Sequence, residues 1–146
     1  ELQSKLISLI IDQPALIREE EAQKLPKLLT SPDLRAIFVS ILRMVDRQGS
    51  LSATALLDEL SDNQLRPWLE AKLAVQEHSI DEARQILVEG VPLLESKNIE
   101  HELPRLQQRI VEARRVGDDA LAAGLTREFV ELTRSAHKLK SNIKQR

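Results

Sequence analysis

Apolar residues recur along this chain at helical rather than strand spacing. Leu2, Leu6, Leu9 and Ile10 form a first stripe that Pro14 ends, and Leu16 and Ile17 follow in a brief turn. Beyond the acidic residues 19–21, which read as solvated, Leu25, Leu28 and Leu29 make another short apolar segment. The clearest helix of the first half opens at Ser31, whose hydroxyl can accept from an orphan backbone N–H. Pro32 sits at the first helical position, where its missing N–H costs nothing. Leu34, Ile37, Phe38, Ile41, Leu42 and Val45 then share one face until Gly49, a residue free to take the left-handed conformation. Ser52 caps a helix that buries Leu56, Leu57 and Leu60. Ser61 with Gln64 fits a capping box ahead of Leu65, Trp68, Leu69 and Leu73, and Pro67 pushes that start later. Ser79 with Glu82 fits a second box, opening a stripe of Ile80, Ala83, Leu87, Val91 and Leu94. Gly90 and Pro92 interrupt that stripe and predict a kink or break.

The last third is the most regular. Ile99, Leu103, Leu106, Ile110 and Ala113 are spaced four, three, four and three. After Gly117 and Asp118 the pattern resumes with Leu125, Phe129, Leu132, Ala136, Leu139 and Ile143. These are two heptad seams. Gly117 can stop the first helix and Asp118 can cap the second, and so short a connection makes the helices antiparallel neighbours. Pro104 either kinks the first helix or sits in its first turn. No apolar alternation predicts a strand. The expected fold is all-α: a helical bundle over residues 1–97, then a C-terminal antiparallel helical hairpin over residues 98–146.

Composition narrows the possibilities. Phe38, Trp68 and Phe129 are the only aromatic residues, so the core must be aliphatic. With no cysteine, disulfides and thiolate metal sites are excluded, which suits a cytoplasmic protein. No apolar run approaches the roughly 18 residues of a membrane span. The chain starts at Glu1, and its single methionine is Met44, so we read it as a piece of a longer protein. The net charge of −2 is unevenly placed. Residues 105–146 hold ten Lys/Arg and five Asp/Glu, a net +5; residues 1–104 hold eleven and eighteen, a net −7. An acidic body with a basic tail suggests halves that meet different surfaces.

Few residues suggest chemistry. His78 and His101 read as surface residues. The string Ala136-His137-Lys138-Leu139-Lys140-Ser141 resembles the His-x-Leu-Lys-Gly signature of histidine-phosphotransfer domains, with Ser141 where that signature has glycine. Phosphotransfer through an exposed His137 steadied by Lys140 is therefore an alternative function. The four scattered glycines make no phosphate loop, and no carboxylate pair suggests acid–base catalysis. Direct nucleic-acid binding would use Arg109, Arg114, Arg115, Arg127, Arg134, Lys138, Lys140 and Lys144, but no aromatic platform accompanies them.

The order of segments resembles the C-terminal helicase-binding domain of bacterial DnaG-type replicative primases. The matching stretches start with Leu6-Ile7-Ser8-Leu9-Ile10-Ile11 and Pro14-Ala15-Leu16. Ser31-Pro32-Asp33-Leu34-Arg35 and Ala55-Leu56-Leu57 follow, then Asp81-Glu82-Ala83 and Ile99-Glu100-His101-Glu102-Leu103. Ile110-Val111-Glu112-Ala113-Arg114 and the turn at Gly117-Asp118 complete the order. That family runs one long helix where this chain has Gly90, Pro92 and Pro104. The resemblance implies a non-catalytic fragment of a DNA primase, without cofactor, whose RNA-synthesis chemistry lies in other domains. Its implied partner is the N-terminal domains of the hexameric DnaB-type replicative helicase. Nucleic acid would be met only indirectly, and no membrane or small-molecule substrate is implied. The helicase's own N-terminal domain has a similar fold and is a second alternative. The residues expected to meet the partner are Phe129, Leu132, Leu139 and Ile143 as apolar anchors, flanked by Arg134, Lys138, Lys140 and Lys144.

Overall fold

The computed structural model describes residues 1–144, with side chains for residues 1–143. Among the described residues the chain is all-α, with no strand. The helices are α1 (Leu2–Asp12), α2 (Glu20–Gln23), α3 (Leu25–Leu28), α4 (Pro32–Gln48), α5 (Ala53–Glu59), α6 (Arg66–Ala74), α7 (Ile80–Arg115) and α8 (Asp119–Lys144). A 3-10 turn, Pro14–Arg18, follows α1. The chain divides into two compact units, Glu1–Val91 and a second that begins at Pro92. Lys144 ends α8, and its side chain lies outside the described residues.

The first unit is built around α1. Leu6, Ile7, Leu9 and Ile10 are fully buried, so α1 is apolar on more than one side. It packs against the 3-10 turn, α4 and α6. α4 in turn meets the 3-10 turn, α3 and α5, and buries Phe38, the largest fully enclosed side chain. The helix ends follow local chemistry. Ser31 Oγ accepts from Leu34 N–H at 3.2 Å, and Ser52 Oγ accepts from Ala55 N–H at 3.3 Å. Gly49 closes α4 with φ +77°.

The expected capping box at Ser61 and Gln64 does not form. Asn63 takes over: its Oδ1 accepts from Leu65 N–H at 2.8 Å while its amide donates to Asp33 O at 3.0 Å. That second bond reaches 30 residues back and pins the turn to the start of α4. α6 therefore starts at Arg66, with Pro67 in its first turn.

The expected break at Gly90 and Pro92 is also absent. α7 runs from Ile80 to Arg115 with Pro92 and Pro104 inside it. Each proline forgoes one helical hydrogen bond. Leu87, Val91 and Leu94 are nonetheless buried on both sides of the interruption, and that burial favours keeping the helix. Gly90 has a packing reason. A Cβ there would lie 2.7 Å from Leu6 Cδ2, so the missing side chain lets α1 approach α7 closely.

Candidate docking surface

The second unit contains the basic end of the chain. Leu106, Ile110 and Ala113 of α7 and Ala122 and Leu125 of α8 form one buried apolar cluster, with Phe129 and Leu132 packed against it. The heptad residues thus serve first to hold two helices together. The turn between them has specific chemistry. Gly117, at φ +78°, donates to Arg114 O at 3.1 Å, and Asp118 N–H reaches Ala113 O at 2.9 Å. This pair of bonds satisfies two of the last carbonyls of α7 as a Schellman motif does. Asp118 then caps α8, its carboxylate accepting from Leu121 N–H at 3.1 Å.

The residues expected to meet a partner fall into three sets. Phe129 and Leu132 are half-buried in the cluster, so most of their contact is spent inside the unit. Leu139 and Ile143 are half-buried beyond it. Arg134, Lys138 and Lys140 are exposed. Lys140 lies 3.9 Å from Glu100 of α7, a loose pair with both side chains 58% exposed. The side chain of Lys144 belongs to the part of the chain not described.

At about 100° per residue, Arg127, Arg134 and Lys138 lie within about 20° of one line on α8. That line is opposite the packed seam. Arg127 was expected only in the nucleic-acid reading, yet it extends the same outward row; the spacing of seven and four residues could have shown it. None of the three makes an ion pair among the described residues. α8 grows more basic toward its end, because residues 132–144 contain four Lys/Arg and no Asp/Glu. Cations there also complement the negative end of the helix dipole. The heptad pattern did not mark the exposed apolar residues Val111, Val116 and Leu121 near the turn, Val130 along α8, or Leu93 at the start of this unit. They are out of phase with the heptads and so carry no periodic signal.

The opposite charge is organised differently. Glu112 accepts from Arg115 at 3.0 and 2.5 Å, which holds the carboxyl below its ordinary range and raises the guanidinium. Glu102, Glu128 and Glu131 surround a shallow depression floored by Leu106 and Leu132. His137 is exposed, as is His101.

His78 is not a surface residue. Its Nδ1 lies 2.9 Å from Asp12 Oδ2, and its side chain is only 18% exposed. Lys72 Nζ reaches Asp12 Oδ1 at 2.6 Å, with the two side chains 6% and 1% exposed. Glu77 N–H adds a third bond to the carboxylate at 3.3 Å. Burial by itself would raise the Asp12 carboxyl. Hydrogen bonds from Lys72 and His78, the Lys72 charge and the Glu77 N–H outweigh it and hold Asp12 below the usual carboxylate range. The cluster ties the end of α1 to the end of α6 and to residues 75–79. Its bonds join these three segments to one another, a structural role. Glu19, just before α2, is likewise partnered: it accepts from Arg84 at 2.9 and 3.1 Å, and Arg84 is raised by that bond.

Among the described residues no group of His, Asp or Glu is arranged to hold a metal ion. No helix among them is long and apolar enough to cross a membrane. Comparison with protein-family models, with curated proteins and with solved structures finds no match to this chain.

Proposed function

We propose that this chain is a non-catalytic docking domain, a bundle followed by a basic helical hairpin, that attaches a bacterial DNA primase to its replicative helicase. The partner would be the N-terminal domains of a DnaB-type hexamer, and the setting the cytoplasm. The observation that carries the reading is the division of labour on α8. Its inner face is consumed by packing against α7, while its outer face presents Arg127, Arg134 and Lys138, which make no ion pair among the described residues. The order of sequence segments that resembles the primase family supplies the partner. Exposed cations of this kind set orientation and association rate more than final affinity, and half-buried Leu139 and Ile143 would add apolar contact.

The test is a titration of the intact chain into the purified hexameric helicase by calorimetry. We expect saturable binding, weakened at least tenfold in the double variant Arg134→Glu/Lys138→Glu, with an unchanged circular-dichroism melt. Binding that ignores the double charge reversal would reject the outer face of α8. No binding by the unaltered chain would reject helicase docking altogether.

A further inference from the structure

A second surface lies wholly in the first unit, on the outside of α4. Its residues form two rows at four-residue spacing. One row, Arg35, Val39, Arg43 and Arg47, is exposed throughout; the other is Pro32, Ala36, Ser40 and Met44, of which Ser40 is buried. Two shallow depressions that share Arg43 and Glu59 run along these rows and against α5. Rows of this spacing are the ridges that helices use to pack on one another, and small side chains between taller ones form the groove. Ala36 and Ser40 are the small ones here. Val39 is 43% exposed beside them, although α4 already buries Leu34, Ile37, Phe38 and Ile41 on its inner face.

The charge of the groove is opposite to that of its unit. Residues 1–91 hold ten Lys/Arg and fifteen Asp/Glu, a net −5. Three of those ten cations lie on one ridge of α4. Glu59 is the carboxylate lining both depressions, and Arg43 already engages it at 2.7 Å. Arg35 donates to Leu29 O and keeps its charge, and Arg47 makes no ion pair among the described residues. Of the two acids of α4, Asp46 lies beside Arg18 at 3.4 Å, and neither it nor Asp33 lines these depressions.

We infer that the α4–α5 groove is a docking site for an acidic amphipathic helix of a partner protein. Its apolar side chains would sit over half-buried Ala36 against exposed Val39, and its carboxylates would meet Arg35 and Arg47. α4 spans about 25 Å at 1.5 Å per residue, room for four turns of a partner helix. The apolar floor favours a peptide over a nucleic-acid backbone, which would need phosphate contacts and stacking platforms instead. This inference is independent of the helicase proposal, because it uses neither α8 nor its partner.

The probe is a stapled 16-residue helix with leucines on one face and glutamates flanking them, and a twin with lysines in place of the glutamates. Each is titrated into the full isotope-labelled chain and followed by amide NMR shifts. The acidic helix is expected to shift residues in α4 and α5. Its affinity should fall at least tenfold in Arg47→Glu and at least fivefold in Val39→Ser, two exposed changes that leave the melt unaltered. The lysine twin should not bind. Shifts confined to α8, equal binding of both helices, no shifts at millimolar peptide, or tighter binding of a single-stranded oligonucleotide in the same groove would each overturn the inference.

Discussion

Asp12 gathers polar contacts from distant parts of the chain. Its carboxylate faces Lys72 and His78, which lie 60 and 66 positions away in sequence, and all three are largely withdrawn from water. Removing one partner from a buried pair leaves a charge with no compensation, which costs about 3–5 kcal/mol. Lys72→Met and Asp12→Asn should each destabilise on that scale in urea unfolding. A double variant should cost less than the sum, because the charges then vanish together. The pH dependence follows from the direction of the shift. Asp12 is held below its ordinary value of about 3.9, so its contribution is complete above that pH and is lost as pH falls through the lower folded value. The stability gap between the parent and Asp12→Asn should therefore shrink below about pH 4. A gap that stays constant to pH 2 would show that the carboxylate is not what Lys72 and His78 stabilise. The glycines give a second contrast at this scale. Gly90→Ala gains helix propensity of about 0.8–1.0 kcal/mol, but its Cβ meets Leu6 Cδ2 at 2.7 Å inside a filled core, and overpacking costs about 1–3 kcal/mol. It should lower the melting temperature. Gly124→Ala, whose Cβ would meet nothing nearer than Arg127 at 4.0 Å, should raise it.

Helix ends were legible in the sequence because they depend on a few adjacent residues. Ser31, Ser52 and Ser79 cap where expected, and Gly49 and Gly117 take the positive φ that stops a helix. The seam of α7 and α8 was legible for a related reason, since periodicity reports one face directly. Misreadings came where a distant partner decided the outcome. Asn63 displaced Ser61 because Asp33 O was within reach, His78 left the surface because Asp12 was there, and α7 ran on through Gly90 and Pro92 because Leu87, Val91 and Leu94 are buried. Of the candidate surface, the basic residues of α8 were legible from charge alone. The ridge of α4 was not, because a sequence does not show which side of an amphipathic helix has a second, partner-facing role. The prolines of α7 allow a test at the scale of the element. Pro104 is exposed, so little packing depends on its ring. Replacing an interior proline by alanine restores a hydrogen bond and removes a clash, a gain of up to about 3 kcal/mol. Pro104→Ala should slow amide hydrogen exchange in the turns around residue 104. Faster exchange there would mean that the proline fits a distortion the helix requires.

Across the whole molecule, charge is sorted by unit. Residues 1–91 carry a net −5, and the residues from Pro92 onward, with eleven Lys/Arg and eight Asp/Glu, carry a net +3. Such sorting does little for the fold, because exposed ion pairs such as Lys140–Glu100 are loose and screened. It matters for encounter. A partner approaching the basic end of α8 feels cations spread over several turns before any apolar contact forms, and this raises the association rate rather than the lifetime of the complex. The Debye length falls from about 10 Å at 0.1 M salt to about 3 Å at 1 M. The proposed docking onto the helicase through α8 should therefore show an association rate that drops at least tenfold between 0.05 and 0.5 M salt, with dissociation nearly unchanged. Surface-immobilised helicase and stepped salt would measure both. Arg127→Ala should flatten that salt dependence more than Phe129→Ala, whose ring is packed against the α7–α8 cluster and whose loss should appear as a lower melting temperature. The reverse pattern, a salt-insensitive association rate and faster dissociation in Phe129→Ala with the melt intact, would place the contact on the seam and not on the outward row of cations.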